Sequence, residues 1–211
     1  MATLTRQSHT WLVRRGALAA TALASSGAVA ALWAVQDRGV VAELDEEIAR
    51  WVAAELPAWA EWASRPFSWL GGAIGLGLVT AVASLLLSRA GRRRDAALVV
   101  LAYAGSQLSM LAVKAATDRP RPNLDPAVPL PGSSAFPSGH ATGAVAVLFL
   151  VALLLAPAHG RRQALAAAGL LAFAVGASRV LLGVHWPSDV VAGWAFGLAW
   201  LALCLLLRRR R

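Results

Sequence analysis

Six apolar blocks alternate with short charged ones along this chain, and no stretch shows the strict polar–apolar alternation of a strand. The blocks cover about residues 16–35, 68–88, 96–116, 141–157, 164–182 and 190–207. Roughly 20 apolar residues cross a hydrocarbon core, so each block is a candidate span, the fourth being the shortest. Backbone groups in lipid must bond within their own segment, so the spans should be α-helices. The expected fold is all-α: a polytopic membrane protein with six transmembrane helices, forming a single domain over residues 1–211.

Residues 36–66 form the long connection after the first block. In it Leu44, Ile48, Trp51, Val52 and Leu56 recur at helical spacing, and Pro57 should end or bend the helix. Glu43, Asp45, Glu46 and Glu47 stand near its start, where carboxylates suit the positive end of a helix dipole. With Trp51, Trp59, Trp62 and Trp69 fitting an interfacial belt, the segment reads as a short extracytoplasmic interfacial helix. Two roles are open to it: a connector lying on the bilayer, or a rim that admits a lipid from the outer leaflet.

Charge orients the spans. Arg6, Arg14, Arg15, Arg89, Arg92, Arg93, Arg94, Arg161, Arg162 and Arg208 to Arg211 all fall on one side of a six-span arrangement. The other side holds seven cations and ten of the eleven carboxylates. The positive-inside rule then puts both termini in the cytoplasm of a cell inner (cytoplasmic) membrane. The first block also has a basic start and an Ala28-Val29-Ala30 sequence like a signal cleavage site. Its apolar stretch is longer than a signal core, and a retained helix is expected.

Composition narrows the classes further. Hydrophobic residues make up 58% of the chain. The net charge of +9 raises nucleic acid as a partner, but the arginines flank apolar blocks and form no interleaved aromatic–basic surface, so that partner is excluded. The one cysteine, Cys204, lies in an apolar run and rules out a disulfide framework or a cysteine-rich metal site. Gly71–Gly75 and Gly193–Gly197 have the small-xxx-small spacing of close helix packing within the bundle. His9 and His159 fall on the cytoplasmic side and are expected to be solvated.

Three polar clusters carry the candidate chemistry: Lys114 with Arg121-Pro122, then Pro137-Ser138-Gly139-His140, then Ser178-Arg179 with His185 and Asp189. Lys114 is the only lysine in the chain. Hydropathy and charge bring all three clusters to the extracytoplasmic ends of the spans, where ionisable groups are costly and therefore functional candidates. Phosphoryl transfer is mostly positioning plus stabilisation of negative charge. Arg121 and Arg179 offer planar forks, Lys114 a compact charge, Ser138 a hydroxyl, and Gly139 a close backbone approach. His185 and Asp189, four apart, share a face if a helical turn starts there. A carboxylate on one ring nitrogen leaves the other free to attack, and His140 can then protonate the leaving oxygen and later activate water. Taken singly these are ordinary residues: a lone histidine is usually structural, and an arginine at a span end usually snorkels.

The combination resembles the type 2 phosphatidic acid phosphatase superfamily, the lipid phosphate phosphatases. Its signature is matched by Lys114, six residues, Arg121-Pro122; by Pro137 to His140; and by Ser178-Arg179, five residues, His185, three residues, Asp189. The resemblance implies a helical membrane bundle and a metal-independent hydrolase; the topology adds a lipid phosphate taken from the outer leaflet, and no cofactor is expected. It implies that His185 attacks phosphorus to give a phosphohistidine, that Asp189 orients it, and that His140 serves as acid, then base. Lys114, Arg121, Ser138, Gly139 and Arg179 would hold the phosphate. Asp118 and Asp125 are loop carboxylates whose spacing resembles no two-metal site. Arg119 is placed to touch a second phosphate or to bind Asp118, Asp125 or water. The expected substrate is a polyprenyl (undecaprenyl-type) diphosphate, with phosphatidylglycerophosphate or phosphatidate close behind. A phosphotransferase and a non-catalytic lipid-binding protein are the other classes.

Overall fold

The computed structural model of the protein describes residues 2–124 and 126–208; Asp125 and Arg209 to Arg211 lie outside them, as do the side chains of Arg6 and His9. Among the described residues every regular element is helical: α1 (Ala2–Val35), α2 (Gly39–Glu55), α3 (Ala58–Gly71), α4 (Ala73–Arg89), α5 (Arg93–Ala116), α6 (Gly139–Leu155), a 3-10 turn (Ala158–Gly160), α7 (Arg161–Leu181) and α8 (Pro187–Leu207). The all-α, multi-pass character expected from hydropathy is what forms.

The six expected spans are met only in part. Among the described residues four helical stretches are long and apolar enough to cross a membrane: Val13–Val35, Arg93–Ala116, Ala158–Leu181 and Pro187–Leu207. A fifth exists if α3 and α4, bent by 51° at their junction, count as one. The expected span over residues 68–88 is therefore not a single helix. It breaks at Gly72, an extended residue between two helices, where a run of apolar residues hid the junction. The fourth expected span is α6, with 17 residues. At 1.5 Å per residue it is about 26 Å long, short of a hydrocarbon core about 30 Å thick.

That short helix is the axis of the bundle. Its residues from Ala141 to Leu148 are all buried, as are Leu150 and Leu154. A helix apolar all round belongs in an interior, and α6 is enclosed by α5, α7 and α8 with α3 and α4 beside it. Close packing of α6 on α8 depends on glycine. A Cβ added to Gly193 would lie 2.6 Å from the Ser138 carbonyl oxygen and 2.9 Å from Ala141 Cβ, and one on Gly197 would lie 2.7 Å from the Thr142 carbonyl oxygen. Gly193–Gly197 is thus an internal packing face, as expected. Gly71 and Gly75 act differently: Gly71 seats Val175 of α7, and Gly75 abuts the carbonyls of Trp69 and Leu70 inside the bend.

The outer helix α2 packs on one flank of its apolar stripe, so that Val52 turns in and Leu44, Ile48 and Trp51 do not. Its buried residues are Asp45, Ala49 and Val52, while Leu44, Ile48 and Trp51 are exposed. A lipid-bathed helix presents its apolar residues outward, so periodicity marks the lipid face and polar contacts mark the bundle face. Pro57 does end this helix: α2 stops at Glu55 and Pro57 caps α3. Trp59, Trp62 and Trp69 also point outward. Cys204 is buried and unpaired.

Gly193→Val should push Ser138 off α8 and cost about 1–3 kcal/mol of stability through overpacking. Thermal unfolding in detergent would register this as a lowered transition, with Gly132→Val, where an added Cβ meets open space, as the silent control.

Candidate active site

Antiparallel connection brings the three clusters to one end of the bundle. Lys114 is in the last turn of α5, Gly139 and His140 open α6, Arg179 lies in the last turn of α7, and Asp189 lies in the first turn of α8. The arginine-rich connections stand at the other end, where Arg92 donates to the Leu154 carbonyl at 2.8 Å and Arg208 pairs with Asp95 at 2.9 Å.

His185 sits in the connection between α7 and α8. Its backbone N–H donates to the Arg179 carbonyl at 3.2 Å, a bond shared with Val184 at 3.1 Å. Its Nδ1 lies 3.2 Å from Asp189 Oδ2, and its Nε2 lies 3.1 Å from Arg121 Nη1. An arginine can only donate, so Nε2 accepts and Nδ1 carries the proton toward Asp189. Burial pushes the His185 imidazole down to about 4 against the upward pull of Asp189, with Arg121 and Lys114 adding to the fall. The ring is therefore neutral at pH 7, with a lone pair on Nε2.

The cationic side chains surround that lone pair. Arg121 is spread over the loop before α6, donating to Val184 O at 2.7 Å and to the carbonyls of Pro131, Ser133 and Ser134 at 3.1–3.2 Å. Lys114 Nζ donates to the Ser134 carbonyl. Arg179 is buried, and its Nη1 donates to Ser68 Oγ of α3. Ser138 is wholly buried, and its backbone N–H is pinned to the Asp189 carbonyl at 2.9 Å. His140 lies in the field of Arg179, His185, Arg121 and Lys114. It faces the α3–α4 break: a Cβ on Gly71 would lie 3.4 Å from its Cδ2, and one on Gly72 3.5 Å from its Nε2.

Two buried atoms here have no hydrogen-bond partner, Ser138 Oγ and Arg179 Nε. Both are donors in side chains of the expected cradle. Leaving buried donors unmade is costly, which suits a site completed by an anion. No group of three or more His, Cys, Asp or Glu side chains that could hold a metal ion occurs among the described residues.

Arg119 departs from expectation. It touches neither Asp118 nor the phosphate cradle. It is buried, with Nη1 2.5 Å from Asp189 Oδ1 and 2.8 Å from Ser188 Oγ, and Nη2 2.8 Å from Asp45 Oδ2 and 3.0 Å from the Gln36 carbonyl. Asp45 likewise serves no dipole of its own helix: it accepts from the Ser188 N–H at 2.9 Å and from the Ser188 hydroxyl. Sequence reasoning missed Asp45, Ser188 and Ser68. For Ser68 there was no signal. For Asp45 there was one: it shares a helix face with Ala49 and Val52, a lone carboxylate beside small residues.

Buried cations, an oriented imidazole and unpaired donors lie together at one end of a helical membrane bundle. Residues 95–211, more than half of the chain, match the PAP2 superfamily, and the protein belongs to it. Among curated relatives, phosphatidylglycerophosphatase B of Bacillus subtilis (strain 168) is 34% identical over 109 residues, covering 49% of this chain and 53% of that protein. Lipid A 1-phosphatase of Rhizobium johnstonii is 45% identical over 78 residues, 36% of this chain and 29% of that protein. The matched segment thus spans about half or less of these relatives' length. Over the whole fold, the crystal structure of a transmembrane PAP2-type phosphatidylglycerolphosphate phosphatase from Bacillus subtilis superimposes with a TM-score of 0.83 at 25% identity, covering 88% of this chain and 94% of that one.

Ser68→Ala removes a hydrogen bond from a buried guanidinium. A bond to a charged group is worth about 1.5 kcal/mol, so inorganic phosphate should bind roughly tenfold more weakly. Thermal-shift titration with phosphate would check this; an unchanged midpoint concentration would separate Ser68 from the cradle.

Proposed function

We propose that the protein is a lipid phosphate phosphatase working through a phosphohistidine. The observation that carries the reading is the buried His185, held by Asp189 on Nδ1 with Nε2 turned to Arg121 at 3.1 Å. Arg121 moves onto a phosphate oxygen when substrate enters and uncovers Nε2. Arg121, Arg179 and Lys114 neutralise the equatorial oxygens, with the Ser138 hydroxyl and the Gly139 N–H at the mouth of α6. Nε2 attacks phosphorus, the P–O bond to the lipid breaks, and His140 gives its proton to the departing oxygen. Water, deprotonated by His140, then releases phosphate from His185. No metal or cofactor is required.

We read the topology as six crossings, counting the bent α3–α4 pair and the short α6. Both termini are cytoplasmic and the site is extracytoplasmic, in the inner membrane. The arginine connections at the opposite end of the bundle support this orientation. The chain acts as one domain. The substrate is a lipid phosphate from the outer leaflet. The engagement of Arg119 with two carboxylates removes the residue that favoured a second phosphate. A phosphomonoester such as phosphatidylglycerophosphate or phosphatidate is therefore the first reading, supported by the likeness to phosphatidylglycerophosphatase B and lipid A 1-phosphatase. Polyprenyl diphosphate is the second reading, favoured by a site on the face where such a carrier lipid would be spent.

Phosphate release from these three lipids by detergent-purified protein tests the proposal. Release should persist in chelator, vanish in His185→Ala and fall about 10²–10⁴-fold in His140→Ala. Full activity in His185→Ala, or a strict metal requirement, would refute the mechanism. Transfer to an added alcohol in place of water would reassign the protein as a phosphotransferase.

A further inference from the structure

The buried pair beside the site serves the nucleophile. We infer that Asp45 and Arg119 are positioning residues: Asp45, from α2, neutralises and aims Arg119, and Arg119 fixes the Asp189 carboxylate that orients His185. This rests on the proposed role of His185.

Four side chains form an unbroken buried line. Asp45 Oδ2 meets Arg119 Nη2 at 2.8 Å, Arg119 Nη1 meets Asp189 Oδ1 at 2.5 Å, and Asp189 Oδ2 meets His185 Nδ1 at 3.2 Å. The side chains of Asp45, Arg119, Asp189 and His185 are 4%, 4%, 0% and 3% exposed. Arg119 thus binds the Asp189 oxygen that His185 does not use, so the carboxylate cannot rotate away from the ring. Its plane is held further by the Trp186 N–H, which donates to Oδ2 at 2.9 Å. Asp45 also binds the N–H of Ser188 at 2.9 Å. That N–H is one of the unpaired donors of the first turn of α8, so a carboxylate from another helix caps the turn that carries Asp189.

The charges explain why a pair is needed. Arg119 alone would hold Asp189 but drain the field that Asp189 exerts on His185. Asp45 cancels Arg119 and leaves Asp189 acting as a full carboxylate. The other charged groups that act on His185 are Arg121 from the loop before α6 and Lys114 of α5; His140 of α6 lies near it in the field of Arg179 of α7, and Glu61 of α3 is in the crevice beside it. Asp37 touches the outer edge of Arg119 at 3.5 Å but is 67% exposed, so water screens it.

A purely structural pin and a positioning pair predict different titrations. Removing the positive charge of Arg119 favours the imidazolium, so Arg119→Gln should raise the His185 midpoint by about one pH unit. Removing the negative charge disfavours it, so Asp45→Asn should lower the midpoint. The neutral double variant should return close to wild type; where one single variant does not fold, the sign of the other's shift decides. Both single variants should lose about 10- to 100-fold in kcat with little change in KM.

The experiment is a pH titration of ring-carbon signals in full-length protein carrying 13C-labelled histidine, with His185 assigned from His185→Gln. It needs no turnover, so it stands apart from the assay of the proposed function. Opposite shifts in the single variants and cancellation in the double support the inference. Equal midpoints in all forms, or shifts of one sign, overturn it. Loss of lipid phosphate turnover in wild type would sink the phosphatase reading while leaving this result interpretable.

Discussion

A carboxylate with no exposure to solvent is the constraint on which the site depends. Asp189 is 0% exposed at the head of α8. An ionised group there persists only if paired and hydrogen-bonded, because the cost of removing it from water exceeds any single contact. Asp189 is satisfied from three directions, by Arg119, by the His185 ring and by the Trp186 N–H. Each partner then fixes something further. Its own carbonyl holds the Ser138 N–H, which seats the start of α6. Arg119 reaches across to α2. One buried charge therefore ties together the outer helix, the loop before α6, and the first turns of α6 and α8.

The bilayer reverses the ordinary logic of packing around this centre. Leu44, Ile48 and Trp51 turn outward while Asp45 turns in. Hydrophobic burial does not choose between lipid and protein neighbours, so the helices associate through close fit and polar contact. Gly193 and Gly197 let α8 ride against the α6 backbone. The break at Gly72 serves the same end: it turns α3 so that Ser68 meets Arg179 and the Gly71–Gly72 backbone faces His140. The site is thus walled on one side by a helix junction that contributes no signature residue.

What was legible in the sequence followed from two kinds of signal. The apolar blocks gave an all-helical membrane fold, and the polar clusters at fixed spacings gave His140, His185, Asp189, Lys114, Arg121, Ser138 and Arg179, which the structure gathers at one end. What was not legible depended on distant pairing. Arg119 and Asp45 stand 74 residues apart, and Ser68 and Arg179 stand 111 apart. No local pattern reports such contacts, and the chain around Arg119 left a second phosphate, Asp118, Asp125 and water equally open. The kink at Gly72 was masked because its flanks are as apolar as a straight span. The shortness of α6 was visible, but not its place in the middle of the bundle.

The central claim is that His185 Nε2 is the atom that takes the phosphoryl group. The most direct test is to quench the purified protein in alkali during turnover of a phosphate-labelled lipid and to locate the label by peptide mass spectrometry. The account predicts a phosphohistidine at His185, present within the first turnover and absent from His185→Ala. A label on another residue, or rapid phosphate release with no covalent label at all, would contradict it.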